Sequence, residues 1–144
     1  MKNIIYIFAF ILISCSSSDD NYQPIDEMSG NLTIYVSTES NSYNSIPSNS
    51  DYYLSGKDIN GTISGGDPNI TFSVGEEISF DISASGHPFF IKTEQVTGTQ
   101  KQVSNVINNG ETNGVIRWTP SEKGIYYYQC SVHNGMHGII TIVD

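Results

Sequence analysis

Residues 124–143 read GIYYYQCSVHNGMHGIITIV, and this stretch decides the fold. It opens with an apolar and aromatic run that ends at Cys130, continues through a short loop, and closes with a second apolar run from Gly138. Short runs rich in aromatic and β-branched residues are typical of strands. The stretch therefore predicts a strand over residues 125–130, a loop, and another strand over residues 138–143.

The loop carries three side chains with metal-binding atoms, Cys130, His133 and Met136, with two residues between each pair. A second histidine, His87, stands far upstream at the end of a predicted strand, just before Pro88. One thiolate, two imidazoles and a weak axial thioether are the ligands of a blue, or type 1, copper centre. A short loop brings Cys130, His133 and Met136 together at little entropic cost, and His87 would complete the set from a distant strand. The pattern therefore predicts that these four side chains bind one copper ion.

The first fifteen residues have the pattern of a bacterial export signal. A short positive start precedes an apolar run over residues 4–13, which is too short to span a bilayer as a helix. The run ends in Leu12-Ile13-Ser14-Cys15, which resembles the lipobox of bacterial lipoproteins and implies lipid attachment to Cys15. An ordinary signal peptide with an incidental cysteine is the alternative. The expected organisation is a signal peptide over 1–14, a lipidated tether over 15–29 and one folded domain over 30–144.

Cys130 would be the only thiol of the mature domain that is not lipidated. Exported proteins meet an oxidising environment, in which free thiols usually pair or oxidise. Metal ligation is one reason to keep such a thiol, and a role as a small buried apolar side chain is the other.

Acidic side chains dominate the sequence, with fifteen aspartates and glutamates against six lysines and arginines. This balance opposes nucleic-acid binding, which needs basic patches. It also opposes adsorption to an anionic membrane, so the lipid at Cys15 would be the anchor. An acidic surface could steer a basic redox partner to the protein or serve solubility alone.

The rest of the chain reads as short strands separated by Gly, Asn, Ser and Pro. Residues 37–51 are rich in Ser and Asn and read as a loop. No segment longer than ten residues after the signal shows helical periodicity. We therefore predict an all-β, antiparallel Greek-key sandwich or barrel. The further predicted strands cover residues 32–36, 52–55, 70–74, 78–82, 89–91 and 114–119.

Residues 124–143 resemble the C-terminal hairpin of the cupredoxins, the group that includes plastocyanin, pseudoazurin and amicyanin. The Cys-x-x-His-x-x-Met spacing is similar to that of the short-loop members, and Gly86-His87-Pro88-Phe89 resembles the segment that holds the upstream histidine. The resemblance covers about residues 30–144. It implies a cupredoxin-like sandwich that binds one type 1 copper ion.

The same resemblance implies a role for each matching residue. His87 and His133 would bind copper through Nδ1, Cys130 through its thiolate, and Met136 weakly along the axis. The outer edge of His133 would be exposed as the exit for electrons. Pro88, Val132 and Gly135 would surround it with an apolar patch for docking.

The sequence departs from the family at two positions beside the ligands. Many cupredoxins have an asparagine after the first histidine that braces the ligand loop, whereas here Pro88 has no backbone N–H to donate. Bracing is then expected from Ser131 or from the backbone. Gln129 stands where plastocyanins carry an exposed tyrosine. Strand alternation predicts that Gln129 faces outward, and that Tyr128 faces inward with Cys130.

His137 directly follows Met136 and is the alternative axial ligand. Neighbouring residues of an extended chain point to opposite sides, so both cannot easily face one metal. The family spacing favours Met136. If His137 is not a ligand, it is a solvated surface side chain.

Two functions follow from these ligands. The first is a monomeric, membrane-anchored electron carrier that exchanges single electrons with redox partner proteins in the bacterial cell envelope. It would lie at the outer membrane or the cell surface and face the periplasm or the exterior. The second is an envelope module for copper acquisition, storage or delivery. A metal-free adhesive sandwich is a weaker third alternative. No Ser-His-Asp or paired-acid constellation is evident, and the ligands of further copper centres are missing, so no enzyme is predicted.

Overall fold

The computed structural model describes residues 32–38 and 51–144. The expected signal peptide and tether, with Cys15, lie outside the described residues, as does most of the expected loop over residues 37–51. Ten strands and no helix occur in the described part of the chain. They are β1 (Leu32–Ser37), β2 (Tyr53–Asp58), β3 (Gly61–Gly66), β4 (Ile70–Ser73), β5 (Ile78–Ser83), β6 (Phe89–Lys92), β7 (Val106–Ile107), β8 (Asn113–Trp118), β9 (Gly124–Cys130) and β10 (His137–Val143).

The strands form two sheets. One has six strands in the order β3-β2-β1-β5-β8-β7, and the other has four in the order β4-β10-β9-β6. Most neighbours are antiparallel, whereas β1 pairs with β5, and β4 with β10, in parallel. The predicted all-β sandwich is confirmed, and its sheets are mixed. No helix in the described residues is long and apolar enough to cross a membrane.

Strands β3 and β7 were not predicted from the sequence pattern. Both lie at the edges of the six-stranded sheet. In β3 only Ile63 is buried, and its neighbours are glycine, serine and threonine. Strand β7 has two residues, of which Ile107 is exposed. An edge strand with little buried surface lacks the apolar alternation by which strands are recognised.

An aromatic cluster fills the core at one end of the sandwich. The ring of Phe89 lies 5.3 Å from that of Tyr128 in a stacked arrangement and 5.0 Å from that of Tyr52 in an edge-to-face one. The ring centroid of Phe80 lies 5.4 Å from that of Phe89. All four side chains are buried, and Phe89 pairs across the sheet with Cys130. The core is therefore packed rigidly up to the residue that ends β9.

Candidate metal centre

The first predicted ligand, His87, lies in the turn between β5 and β6. Strand β5 belongs to the six-stranded sheet and β6 to the four-stranded one, so the chain crosses between the sheets here. Gly86 has a φ of 81°, a conformation that glycine adopts without strain. The His87 N–H donates to the Ala84 carbonyl at 2.9 Å, and the Tyr52 hydroxyl donates to the His87 carbonyl at 2.9 Å. The backbone of His87 is thus held at both ends.

The other predicted ligands lie on the connection between β9 and β10. Cys130 is the last residue of β9, and its N–H donates to the carbonyl of Met136 at 2.9 Å. The Met136 N–H donates to the carbonyl of His133 at 3.3 Å. These bonds fold the ligand loop, residues 130–136, back on itself, so that residues three positions apart face the same region.

The structure brings His87, Cys130 and His133 together. One ligand atom from each lies within 4.8 Å of the other two. The Cys130 sulfur is 3.6 Å from Nδ1 of His133, and the two imidazole rings have their centroids 4.7 Å apart. Cys130 is fully buried, whereas both histidines are partly exposed. The cluster lies at one end of the sandwich, between the crossover turn and the ligand loop.

The donor atoms of this cluster fit a metal. The Nδ1 atom of His87 is buried and has no hydrogen-bond partner, which is uncommon for a buried polar atom. A metal ion would give that lone pair a partner. Burial, and then the neighbouring His133, lower the pKa of His87, which keeps its imidazole neutral and able to coordinate. A thiolate beside two imidazoles suits copper.

The predicted axial ligand and its alternative differ in orientation. Met136 is fully buried and belongs to the same core cluster as Cys130. His137 pairs across the sheet with Gln129, so its side chain shares the face of Gln129, opposite to the face of Cys130. Nδ1 of His137 lies 3.1 Å from the carbonyl oxygen of Asn134. These positions favour Met136 over His137 as the axial ligand of a bound metal.

The prediction that Gln129 faces outward to solvent is wrong, because this side chain is fully buried. Its Nε2 donates to the carbonyls of Cys130 and His133 at 3.0 Å and to that of Met136 at 3.1 Å. Tyr128 is buried on the inner face with Cys130, as alternation predicted. Alternation thus assigned Gln129 to the correct face, but that face is not open to water at this point.

The segment after β6 lies against the outer side of the ligand loop. Lys92, which is fully buried, donates from Nζ to the carbonyls of Val96 at 2.7 Å and Gly98 at 2.6 Å. The Gly98 N–H in turn donates to the Ser131 carbonyl at 2.7 Å. Sequence reasoning missed the contacts of Gln129 with the loop, and it missed this segment altogether. The available signal was a polar amide directly before Cys130 in an otherwise apolar and aromatic strand.

Pro88 does take part in holding the loop, although it cannot donate. Its carbonyl accepts the N–H of Ser131 at 3.3 Å. Beside the cluster, Val132 is 61% exposed, which is high for a large apolar side chain. An exposed valine next to the partly exposed His133 places an apolar side chain on the surface beside the candidate centre.

No protein-family model matches the sequence, and no curated protein matches it significantly. Among solved structures, a rusticyanin variant is 16% identical over 77% of this chain and 76% of its own, with a TM-score of 0.49. Rusticyanin from Thiobacillus ferrooxidans is also 16% identical over the same shares, with a TM-score of 0.46. A pseudoazurin from Sinorhizobium meliloti is 21% identical over 76% of this chain and 72% of its own, with a TM-score of 0.42. At identities and TM-scores this low, the likeness carries no conclusion about this chain.

The two-sheet architecture and the position of the cluster agree with a cupredoxin-like β-sandwich. Three of the predicted ligands meet at one end of that sandwich, although they come from a crossover turn and a distant hairpin. The cluster of His87, Cys130 and His133 is consistent with a single type 1 copper site.

Proposed function

We propose that this protein is a type 1 copper protein that carries single electrons between redox partners in the bacterial cell envelope. The observation that carries the proposal is the cluster of one buried thiol and two imidazoles, in which the buried Nδ1 of His87 lacks any other partner. His87, Cys130 and His133 would hold the ion, and Met136 would supply the axial thioether. Bound copper would supply a one-electron couple between Cu(I) and Cu(II).

The residues around the cluster are suited to electron transfer. A carrier works fastest when its ligands move little between oxidation states, and here the crossover turn and the ligand loop are both held by backbone hydrogen bonds. Burial of Cys130 keeps water from its thiolate, while His133 remains partly exposed. Electrons would therefore pass through the His133 edge.

Val132 and His133 form the proposed docking surface. An exposed apolar patch can pack against a partner for a short time and release it. The acidic excess of the chain favours redox partners with a basic surface and a rate of association that falls with salt. The carrier would work as a monomer and catalyse no reaction of its own.

We also propose that the protein is anchored to a membrane through lipid on Cys15, at the outer membrane or the cell surface. The support for this is the apolar run and the Leu12-Ile13-Ser14-Cys15 sequence. Stable anchoring takes two or more acyl chains, which a lipobox cysteine would receive. Residues 15–29 would then separate the copper domain from the bilayer.

Copper acquisition, storage or delivery is the second candidate, and one observation favours it. His133 is partly exposed, so one predicted ligand can be reached by a competing chelator or a partner protein. A handling protein should release copper to such a chelator within seconds to minutes. A carrier should retain copper through many cycles of oxidation and reduction.

The first experiment loads the protein with excess Cu(II), removes the unbound copper, counts the copper that remains per chain, and records the visible and electron paramagnetic resonance spectra. We expect one copper per chain and an intense blue band from charge transfer between thiolate and copper. Cys130→Ser should abolish the band. A copper-loaded protein without the band, or a stoichiometry far from one, would contradict the proposal.

A second pair of variants tests the axial ligand. Met136→Ala should change the redox potential and perturb the spectrum while a blue band persists, because the thioether is a weak, soft donor that favours Cu(I). His137→Ala is the matched control and should change neither. The opposite pattern would identify His137 as the ligand and would weaken the carrier proposal.

A further inference from the structure

We propose that Gln129 is the positioning residue of the ligand loop, whose side-chain amide holds the backbone of three proposed ligands before copper binds. The proposal deepens the proposed function, on which its spectroscopic consequences rest. Its structural half concerns the copper-free protein and can be tested separately. Gln129 itself has no role as a ligand.

The contacts of the amide carry the argument. Nε2 of Gln129 donates to the carbonyls of Cys130, His133 and Met136, at 3.0, 3.0 and 3.1 Å. These are the three loop residues proposed to bind copper. An amide nitrogen has two N–H groups, so three acceptors share two hydrogens. One side chain therefore sets the spacing of the backbone at three of the four ligand positions.

The orientation of the amide is fixed by its surroundings. A flip would direct Oε1 at three carbonyl oxygens, which can only repel it, so the nitrogen must face the loop. Oε1 is then buried without a hydrogen-bond partner, an arrangement that destabilises the folded state. Oε1 thus has no hydrogen bond, whereas every hydrogen bond of Nε2 goes to the ligand loop.

Two bonds from outside the hairpin hold a different part of the loop. The Ser131 N–H donates to the Pro88 carbonyl, and the Ser131 carbonyl accepts the Gly98 N–H. Both bonds act next to Cys130, whereas Gln129 reaches His133 and Met136 at the far end. Pro88, which follows His87, has no N–H with which to brace the loop. Gln129 supplies this bracing from the strand instead.

Gln129→Met tests the structural half, since methionine has nearly the same length and no donor. Hydrogen exchange is measured on the copper-free protein at the amides of Cys130 and Met136, which bond to loop carbonyls. We expect both to exchange at least tenfold faster than in the wild type. Asn109→Ala is the matched control, because that amide also braces backbone, at Ile91, away from the loop. It should leave loop exchange unchanged once any change in global stability is subtracted.

Copper spectra test the second half. With copper bound, Gln129→Met should shift the redox potential and broaden the electron paramagnetic resonance lines, whereas Asn109→Ala should do neither. Gln129→Glu should have a larger effect than Gln129→Met, because a carboxylate would face three carbonyl oxygens. Gln129→Met with wild-type loop exchange and a wild-type spectrum would reduce Gln129 to a space-filling residue and overturn the proposal.

The outcomes separate the two proposals. If the wild type does not form a blue centre but Gln129→Met loosens the loop, the proposed function fails and the positioning role stands. If Gln129→Met does not fold, hydrogen exchange of the side-chain amide protons of wild-type Gln129 tests the positioning role instead. They should exchange at least tenfold more slowly than those of Gln100 and Gln102, which are exposed and bond to one carbonyl each. Equal exchange rates would overturn the positioning role.

Discussion

Replacing Gly138 by alanine should destabilise the protein, although glycine usually weakens a strand. Gly138 lies on the inner face of β10, directly opposite Tyr128 on β9. An added Cβ would collide with the phenol ring and hydroxyl of Tyr128. The ring cannot move freely, because it stacks on Phe89 and its hydroxyl donates to the Pro68 carbonyl at 2.7 Å.

The magnitude follows from these contacts. Forcing an extra carbon into a packed core costs about 1–3 kcal/mol. Loss of the hydrogen bond from Tyr128 to Pro68 adds about 1 kcal/mol. Alanine returns roughly 0.5–1 kcal/mol, because it restricts the unfolded chain more than glycine does. The expected net loss in the free energy of unfolding is therefore about 1–3.5 kcal/mol.

Urea unfolding of the copper-free protein measures this loss, with the fluorescence of the single tryptophan, Trp118, as the probe. Gly66→Ala is the control, since an added Cβ there would make only ordinary contacts, with Asp51 at 3.4 Å and beyond. It should raise the free energy of unfolding by roughly 0.5–1 kcal/mol, because it restricts the unfolded chain without a collision in the folded one. In a Tyr128→Leu background, Gly138→Ala should cost markedly less. An equal cost in both backgrounds would refute the collision.

Three other predictions concern charge, a side-chain brace and the anchor. Burial, with the carboxylate of Asp51 adding to it, raises the pKa of Asp67 to about 7, so folded Asp67 keeps a proton that the unfolded chain releases above about pH 4. The free energy of unfolding of the wild type, measured in urea, should therefore fall relative to that of Asp67→Asn as the pH rises from about 4 to 7. A difference that does not change with pH would contradict the shift in pKa. The amide of Asn109 bonds both the N–H and the carbonyl of Ile91, at 2.8 and 3.0 Å, so Asn109→Ala should lower the free energy of unfolding by about 1–3 kcal/mol, and an unchanged urea midpoint would show that water replaces the brace. Cys15→Ser should release the protein from the membrane fraction, and retention there would mean that the apolar segment is an uncleaved anchor.

Much of the fold follows from local patterns in the sequence. In β5, the alternation of Ile78, Phe80 and Ile82 predicts the inner face, and all three side chains are buried. Strand β3 escaped prediction because it buries little beyond Ile63. The parallel pairing of β1 with β5 also escaped prediction, because the alternation of side chains is the same for either strand direction.

The candidate site divides in the same way. The loop positions Cys130 and His133 could be predicted, because their spacing along a short loop almost determines their distance in space. The distant His87 could be predicted as a ligand from its place at a strand end, but its distance from the loop in space could not be read from the spacing. The burial of Gln129 depends on what covers the outer face of the strand, and alternation contains no information about that.

Because His87 lies in the crossover between the two sheets, copper binding there would link metal supply to the lifetime of the protein. A ligand that binds only the folded chain stabilises it by about 1.4 kcal/mol for every tenfold excess of its concentration over its dissociation constant. Copper held between the crossover and the ligand loop would thus stabilise the folded chain, and its removal would reverse that effect. Copper-starved cells would carry a form that unfolds more often and is degraded sooner, so the amount of this protein would follow copper availability without any change in its synthesis.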